Sequence, residues 1–281
     1  MADDQPVFRA ACVQMRSGLD RRQNTRDAID LIEKAADSGA AFIATPEMTN
    51  VVDRKGSRLM DGLPEEDGLE EIAAFQACAR RHEVWLLAGS FAVSLGGRAA
   101  NRSFLFAPSG DIVARYDKIH MFDVDLPGGE SWKESKIYAS GGRGVVVNAG
   151  FAKLGLSICY DVRFPALFTQ LAKSGAEIFC IPAAFTRQTG KAHWKTLLRA
   201  RAIENGAFVI APAQGGDHED GRETWGHSLI IDPWGRILAE ADNEEPGIIT
   251  ADIDLAKAHE ARLRIPNLAL EPQYEISIIN Q

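Results

Sequence analysis

The sequence has little cysteine and no excess of positive charge. Its 281 residues include four cysteines, Cys12, Cys78, Cys159 and Cys180, which are far apart and form no Cys-x-x-Cys pair. We therefore expect neither a disulfide framework nor a metal site. Acidic residues outnumber basic ones, and the formal net charge is −8 at pH 7. This balance argues against nucleic acid or an anionic membrane as a partner and favours a small-molecule ligand.

Long apolar runs are also missing. No stretch reaches the length that crosses a bilayer, and residues 1–5 are acidic and polar, unlike the basic start of a signal peptide. We therefore expect a cytoplasmic protein. No Pro/Ser-rich linker, charge block or internal repeat divides the chain, so we predict a single domain over residues 1–281.

Apolar periodicity predicts alternating strands and helices. Helices are predicted at residues 25–38, 69–82, 165–174 and 194–205. Strands are predicted at residues 7–14, 41–45, 84–88, 103–107, 112–116, 145–148, 153–158, 177–181, 207–211 and 248–252, with a hairpin at 228–240 and a polar loop at 215–224. This pattern indicates an α/β protein with a mixed sheet system and helices outside.

Cys159 ends an apolar, strand-like run shortly before Pro165. Proline suits the first turn of a helix, so the thiol is expected at a strand-to-helix elbow. Backbone N–H groups at such an elbow favour an anion, which predicts a lowered thiol pKa and free donors for an oxyanion. Taken alone, a cysteine that closes a strand is more often a packing residue, and Cys12, Cys78 and Cys180 are interpreted in that way.

Two further reactive side chains follow predicted strands. Glu47 comes after the strand at 41–45, and Lys118 comes after the strand at 112–116. Ligands bind at the carboxyl ends of strands in open α/β sheets, so Glu47, Lys118 and Cys159 are expected at one rim. Together they supply a base, an electrostatic stabiliser and a nucleophile, the set needed for acyl transfer through a thioester. Individually, a capping glutamate and a solvated surface lysine are the commoner roles.

These residues stand in three distinctive segments, at 45–47 (Thr-Pro-Glu), 116–123 (Tyr-Asp-Lys-Ile-His-Met-Phe-Asp) and 155–165 (Gly-Leu-Ser-Ile-Cys-Tyr-Asp-Val-Arg-Phe-Pro). The segments resemble the signatures of the nitrilase superfamily of carbon-nitrogen hydrolases. Similar tracts continue at residues 183–186, 189–194, 198–204, 226–228 and 232–235, and they resemble the Nit-type amidase branch. Residues 213–218 look more like deaminated-glutathione amidases than omega-amidases. The segment 265–272 departs from the branch, because it is apolar and acidic where a basic end is usual.

The resemblance implies a four-layer α-β-β-α sandwich that assembles as a homodimer or a higher homo-oligomer. It implies a Glu47, Lys118 and Cys159 triad with no cofactor. The second active-site glutamate of the family falls by position on Glu134, with Glu130 as an open alternative. The implied reaction is hydrolysis of a non-peptide C–N bond in a small carboxylate-bearing amide, with release of ammonia. Omega-amides such as 2-oxoglutaramate, carbamoyl compounds and nitriles are the alternative substrates.

The residues that bind the substrate are predicted around this triad. The backbone N–H of Tyr160 is expected to help hold the oxyanion, and Thr186 is a further candidate contact. Phe185 and Trp194 either wall a pocket or fill the core, and His193 is interpreted as a partner of Trp194 at a helix start.

A substrate carboxylate has three candidate partners, Arg163, Arg187 and Lys191, because a guanidinium or an ammonium group binds carboxylates well. For Arg163 we favour a structural ion pair with Asp161 instead.

Three rival interpretations stay open. The first is a Cys-His hydrolase with His193 or His227 as the base, although neither stands in a papain-like or caspase-like signature. The second is a catalytically silent scaffold that only binds a partner. The third is a metal at residues 217–219, although a polar loop with one histidine is more often solvated.

Overall fold

The computed structural model describes residues 7–127, 129–270 and 274–279. The predicted polar start at 1–5 and the end of the segment 265–272 lie outside these residues. Within them, the strands form two six-stranded sheets and two short hairpins. The first sheet contains, from edge to edge, β16 (Gly247–Asp254), β1 (Val7–Gln14), β2 (Phe42–Ala44), β3 (Trp85–Ser94), β4 (Ala99–Phe106) and β5 (Ile112–Asp117).

The second sheet repeats the plan of the first. It contains β15 (Ile237–Glu240), β14 (Leu229–Ile231), β11 (Phe208–Ala211), β10 (Ile178–Cys180), β9 (Lys153–Leu156) and β8 (Val145–Asn148). In each sheet three central strands run parallel, β1-β2-β3 and β9-β10-β11, and antiparallel strands flank them. The hairpins are β6–β7 (Asp123–Asp125, Ser131–Lys133) and β12–β13 (Gly215–Asp217, Glu223–Trp225).

Side chains of β1 alternate between two cores, as the period of two in a strand requires. Ala10 and Cys12 join a core shared with the second sheet, whereas Ala11 and Val13 join a core on the opposite face. Helices pack around the two sheets. They are α1 (Arg21–Asp37), α2 (Gly56–Met60), α3 (Glu70–His82), α4 (Pro165–Lys173), α5 (Arg187–Asn205), α6 (Ala256–Arg264) and α7 (Asn267–Leu270). α2 belongs to a separate small core, in which Leu59 packs with Met48 and Tyr138.

The layers follow from what each core contains. The outer core of the first sheet takes its helical residues from α1 and α3, for example Ile32 and Phe75. The other core joins the inner faces of the two sheets and continues to α4 and α5, for example at Phe168 and Leu198. The order is thus helices, sheet, sheet, helices, and the predicted α-β-β-α sandwich is confirmed. None of the helices in the described ranges is both long and apolar enough to span a membrane.

Two helices begin earlier than periodicity predicts. α1 begins at Arg21 rather than residue 25, because the Asp20 carboxylate caps it and accepts hydrogen bonds from the first-turn N–H groups. α5 begins at Arg187 rather than residue 194, after the capping residue Thr186. In both cases the first turn is polar, so the apolar pattern does not reveal it.

Short elements also escape the pattern. The segment 215–224, predicted as a polar loop, contributes to the β12–β13 hairpin, in which Gly215 pairs with Trp225. α6 buries only Ala258 and Ala261, which is too weak an apolar stripe to predict a helix.

Gly89 in β3 lies where the loops that follow β2 and β10 meet. A Cβ atom built there would stand 2.0 Å from the Thr45 carbonyl oxygen and 2.5 Å from Pro182 Cβ. Two backbone segments therefore approach each other closely only because this position lacks a side chain.

We predict that Gly89→Ala lowers the free energy of unfolding by about 3 kcal/mol or more. Overpacking typically costs about 1–3 kcal/mol, and here the backbone itself has to move. Gly97→Ala is the matched control, because a Cβ at Gly97 meets no atom within 4 Å. Urea unfolding of both variants measures the effect. Equal free energies of unfolding for the two variants would contradict the packing role of Gly89.

Candidate active site

Glu47 follows β2 and its side chain is buried. Its Oε1 accepts hydrogen bonds from Lys118 Nζ at 2.8 Å and from Asn101 Nδ2 at 2.8 Å. Its Oε2 accepts one at 2.9 Å from the N–H of Ala184, in the loop after β10 of the other sheet. Burial by itself would raise the pKa of Glu47, but the Lys118 charge and the hydrogen bonds hold this pKa below its ordinary value. The carboxylate is therefore fixed by both sheets and ionised.

Lys118 follows β5, and only 2% of its surface is exposed. Its ammonium donates to Glu47 Oε1, and to Glu134 Oε1 at 3.0 Å and Oε2 at 2.9 Å. Burial alone would lower the pKa of Lys118, yet the Glu134 and Glu47 charges raise it well above its ordinary value. The alternative of a solvated surface lysine is wrong, and the group is a buried cation between two carboxylates.

The structure distinguishes the two candidate glutamates after β6. Glu134 contacts Lys118, and its Oε2 also accepts a 2.6 Å hydrogen bond from the N–H of Phe122. Glu130 instead accepts a hydrogen bond from Trp132 Nε1 at 2.6 Å. The second carboxylate on the ammonium is thus that of Glu134.

Cys159 occupies a strand-to-helix elbow between β9 and α4. It opens a 3₁₀ turn, Cys159–Arg163, and its φ of +50° lies in the left-handed region that side chains rarely adopt. Its own N–H donates to the carbonyl of Pro182 at 2.9 Å. Such a backbone outlier persists only where the surrounding structure holds it, which is typical of functional positions.

The predicted lowering of the thiol pKa is wrong. Burial raises the pKa of Cys159 well above its ordinary value, and the Glu47 charge raises it further, although Lys118 opposes this. The backbone at the elbow does not stabilise a thiolate enough to offset this increase in pKa. The Cys159 N–H is already bonded to Pro182, and the 3₁₀ turn is too short for a strong dipole. The resting group is therefore a neutral thiol beside an ionised carboxylate.

Asp161 is a functional candidate that sequence analysis missed. Its buried carboxylate joins the elbow to the segment that carries Lys118. Oδ2 accepts hydrogen bonds from the N–H of Ile158 at 2.9 Å and the hydroxyl of Tyr116 at 2.6 Å. Oδ1 accepts one from the N–H of His120 at 3.0 Å and lies 2.7 Å from its ring Nδ1. One carboxylate thus fixes both segments relative to each other.

The predicted ion pair between Arg163 and Asp161 is wrong for this reason, since other donors surround the carboxylate. The Arg163 guanidinium lies 3.3 Å from His193 Nδ1 instead. It also packs over the rings of Phe185 and Tyr160, at 5.3 and 5.8 Å from their centroids. His193 is therefore engaged with Arg163 at the surface.

A cavity of about 420 Å³ adjoins these groups, and Glu47, Lys118, Glu134 and Cys159 contribute to its wall. Three predicted contact residues also line it, Tyr160, Phe185 and Thr186. The remaining wall includes aromatic, aliphatic and cationic side chains that the sequence did not single out, among them Phe122, Trp132, Ile137, Tyr138, Arg54 and Arg222.

Trp194 and His193 are not part of this wall. The Trp194 ring is fully buried behind Phe185, with ring centroids 4.8 Å apart, and its Nε1 donates to the His227 carbonyl at 2.9 Å. Both residues lie one to two turns inside α5 rather than at its start, so they pack in the helix layer. The other candidate base, His227, stacks on Trp225 at 4.1 Å. Among the described residues, no hydrogen bond or ion pair joins either histidine to Cys159.

Two predicted carboxylate partners are also absent from the wall. Arg187 is neutralised by three carboxylates, those of Asp217, Glu223 and Glu244. Lys191 is exposed on α5. No pattern in the sequence distinguishes Arg54 and Arg222, which line the cavity, from other surface arginines.

The segment 217–219 does not gather metal ligands. His218 is buried, with ring nitrogens 2.8 Å from the Ser17 carbonyl and 2.7 Å from the Thr224 hydroxyl. Across the part of the chain that the structure describes, no three His, Cys, Asp or Glu side chains are arranged to hold a metal ion.

Comparison with known proteins gives a consistent result. The family model described as carbon-nitrogen hydrolase matches residues 9–263. The deaminated glutathione amidase of Synechocystis sp. is 41% identical over 266 residues, which cover 93% of this chain and 97% of that protein. An omega-amidase of Mus musculus is 34% identical over 262 residues, covering 93% and 94%. The crystal structure of Saccharomyces cerevisiae Nit3, a member of branch 10 of the nitrilase superfamily, superposes with a TM-score of 0.83 at 25% identity, covering 92% and 94%.

We predict that Asp161→Asn lowers the rate at which iodoacetamide alkylates Cys159 by about tenfold or more. The amide turns an NH₂ group toward donors, which releases the link between the segments of Cys159 and Lys118, and small displacements of reacting groups cost large factors in rate. Intact-mass spectrometry follows the alkylation.

Asp232→Asn is the matched control for this loss. Asp232 is also a buried carboxylate, and it accepts two backbone hydrogen bonds at 2.9 Å, from Trp234 and Arg236, in the β14–β15 turn. Both bonds go to Oδ1, which an asparagine also has, and the control should keep the wild-type alkylation rate. An unchanged rate in Asp161→Asn would show that its carboxylate does not position the thiol.

Proposed function

The chain belongs to the carbon-nitrogen hydrolase family of the nitrilase superfamily, and we propose that it hydrolyses the amide of a small, carboxylate-bearing acyl compound through a thioester on Cys159. The observation that carries this proposal is the contact of a buried ammonium with two carboxylates beside a thiol in one cavity. A silent binding scaffold would have no use for such a cluster, since binding alone does not need a base, a cation and a nucleophile together.

In the first half-reaction the Cys159 sulfur attacks the amide carbonyl carbon, and Glu47 accepts the thiol proton. The neutral thiol supports this order, because a thiolate would add a second net negative charge to a cluster that already holds two carboxylates and one ammonium. The carbonyl oxygen becomes an oxyanion beside Lys118 and the N–H of Tyr160. Tyr160 N–H has no hydrogen-bond acceptor among the described residues, so it is free to donate.

Collapse of the tetrahedral intermediate breaks the C–N bond, and Glu47 returns the proton to the departing amine, which is ammonia when the substrate is a primary amide. Glu47 then takes a proton from a water molecule, which attacks the thioester carbonyl and releases the product as a carboxylic acid that ionises in the solvent. The proton returns to the sulfur, so the enzyme is unchanged after each cycle. One carboxylate serves both halves.

Lys118 acts mainly as a fixed charge in this scheme. Its ammonium donates hydrogen bonds to three carboxylate oxygens in the resting site. An oxyanion therefore has to replace one of these acceptors or share a hydrogen bond with it. Glu134 keeps the ammonium in place when Glu47 becomes protonated, which is the role we propose for this second carboxylate.

Among substrates, we propose a compound of the deaminated-glutathione type, with 2-oxoglutaramate as the second candidate. The relative with 41% identity is named a deaminated glutathione amidase, and the one with 34% identity an omega-amidase. Residues 213–218 favour the first. The cavity volume of about 420 Å³ suits a small organic molecule.

We further propose that the chain is one domain, works in the cytoplasm and forms a homodimer. The core between the two sheets supports a single domain, and four free cysteines are typical of a reducing compartment. Several apolar side chains in the C-terminal part of the chain are exposed, and their burial against a second subunit would remove them from water: Leu263, Ile265, Leu270, Ile276, Ile278 and Ile279. A monomeric mass in analytical ultracentrifugation would contradict the dimer.

We predict that the purified protein releases 2-oxoglutarate from deaminated glutathione, with cysteinylglycine as the leaving amine, at a higher kcat/KM than from 2-oxoglutaramate, whose leaving group is ammonia. Cys159→Ala abolishes both reactions, because it lacks the nucleophile. A glutamate dehydrogenase assay supplied with ammonium and NADH measures the 2-oxoglutarate that both reactions release. Activity that persists in Cys159→Ala would contradict the thioester route, and no activity on either substrate would contradict the substrate assignment.

Glu134→Gln and Glu130→Gln form a matched pair. A hydrogen bond to a charged group is worth about 1.5–3 kcal/mol, so loss of the Glu134 charge should lower kcat by roughly ten- to a hundredfold. Glu130→Gln should keep kcat within about twofold, since Glu130 contacts Trp132 and not the ammonium. The reverse ranking in steady-state kinetics would transfer the role to Glu130.

A further inference from the structure

We propose that Arg54 and Arg222, here called the arginine pair, bind a carboxylate at the end of the substrate remote from the scissile amide. This inference rests on the proposed amidase function and adds the residues that select its substrates. Arg54 lies between β2 and α2, and Arg222 precedes β13, so two loops from distant parts of the chain supply the pair. Both line the cavity that holds Cys159.

The two guanidinium groups converge on one aromatic ring. The Arg222 guanidinium carbon lies 4.5 Å from the centroid of Trp132, and that of Arg54 lies 5.3 Å from it. Trp132 is itself fixed by the hydrogen bond from its Nε1 to Glu130. Stacking on an aromatic ring leaves the in-plane N–H donors of a guanidinium free for a carboxylate.

A buried carboxylate holds the two loops together. Asp220 Oδ2 accepts the backbone N–H of Arg54 at 2.7 Å, and its Oδ1 accepts that of Arg222 at 2.9 Å. The Asp220 side chain is completely buried. The backbone positions of both arginines are therefore fixed relative to each other, which lowers the entropic cost of binding a ligand.

The charges of the pair are not neutralised by hydrogen-bonded partners. Neither guanidinium donates a hydrogen bond to a described residue, and Arg222 Nε is buried without an acceptor. Asp220 Oδ2 forms a long ion pair with this nitrogen, at 3.9 Å, and both oxygens of Asp220 already accept backbone N–H groups. A buried donor without an acceptor is costly, and a bound carboxylate relieves that cost.

Two other charged side chains in and near the cavity, unlike the arginine pair, have hydrogen-bonded partners of opposite charge. The Asp53 carboxylate, also in the cavity wall, is fully engaged by Arg58 at 2.6 and 2.8 Å. Arg187, one of the three candidate carboxylate partners predicted from the sequence, is held by three acidic residues. The arginine pair is thus available to an anionic ligand in a way that Arg187 is not.

The charge distribution also sets the orientation of the substrate. The end of the cavity at Cys159 has a net negative charge, because two carboxylates face one ammonium there. A substrate carboxylate is repelled from that end and attracted to the arginine pair. A neutral amide therefore faces the thiol, and the class selected is the ω-monoamide of a dicarboxylic acid or of a longer acyl chain that ends in a carboxylate.

The test compares three monoamides, succinamate, glutaramate and adipamate, with the neutral diamide of the same length. In the wild-type enzyme we expect kcat/KM to favour at least one monoamide over its diamide by about tenfold or more. Arg222→Gln and Arg54→Gln should each reduce that preference about tenfold through KM, with kcat/KM for the diamide unchanged within about twofold. Arg222→Lys should keep more of the monoamide preference than Arg222→Gln, because it keeps the positive charge. It should keep less than the wild type, because an ammonium cannot bind a carboxylate in the bidentate way of a guanidinium.

Arg26→Gln is the matched control, because Arg26 lies on the exposed side of α1, outside the cavity wall. It should keep the wild-type preference. A preference that survives both pair substitutions, or an equal loss for monoamide and diamide, would overturn the proposal.

A second readout separates this inference from the proposed function. If the wild-type enzyme releases no ammonia from any of these amides, protection of Cys159 from iodoacetamide by succinate, glutarate and adipate still tests the pair. The site is supported if the dicarboxylate concentration that gives half-maximal protection rises about tenfold in Arg222→Gln but not in Arg26→Gln. Protection that is absent, or equal in both variants, refutes it.

Discussion

The site depends on one buried ammonium held between two carboxylates. Taking an ion out of water costs several kcal/mol, and that cost is recovered only with close partners and complete hydrogen bonding. Lys118 has both, through Glu47 and Glu134, and each carboxylate accepts a further hydrogen bond from backbone N–H. The same charges determine the chemistry, because they keep Glu47 ionised and Cys159 neutral. The same three charges therefore set the protonation state of both the base, Glu47, and the nucleophile, Cys159.

The sandwich brings the parts of this cluster together. Glu47 and Lys118 follow strands of the first sheet, whereas Cys159 and Ala184 follow strands of the second. Hydrogen bonds to the Asp161 carboxylate join the elbow to the segment that carries Lys118. The missing side chain at Gly89 allows the loops of the two sheets to approach each other. The geometry of the site is thus a property of sheet-to-sheet packing, so substitutions far from the thiol can displace it.

The fold and the triad were accessible from sequence because they depend on local signals. Strand periodicity marked the strands that precede Glu47, Lys118 and Cys159, and the distinctive segments around them carried the family resemblance. Other features depend on tertiary contacts and escaped prediction. The thiol pKa reverses direction because burial beside Glu47 outweighs the elbow, and the partner of Arg163 is set by its neighbours in space. The arginine pair comes from two unrelated loops, which no single-sequence pattern connects.

The central claim is that the resting enzyme holds a neutral thiol beside an ionised glutamate. It is tested most directly by ¹³C NMR of protein labelled at cysteine Cβ, with Cys159→Ser to assign the resonance. Thiol and thiolate differ in Cβ chemical shift, so a pH titration gives the ionisation state in the free enzyme. The account predicts that the Cys159 signal keeps its thiol position from pH 6 through pH 9, above the ordinary thiol pKa of about 8.5. A thiolate signal at pH 7 would contradict it.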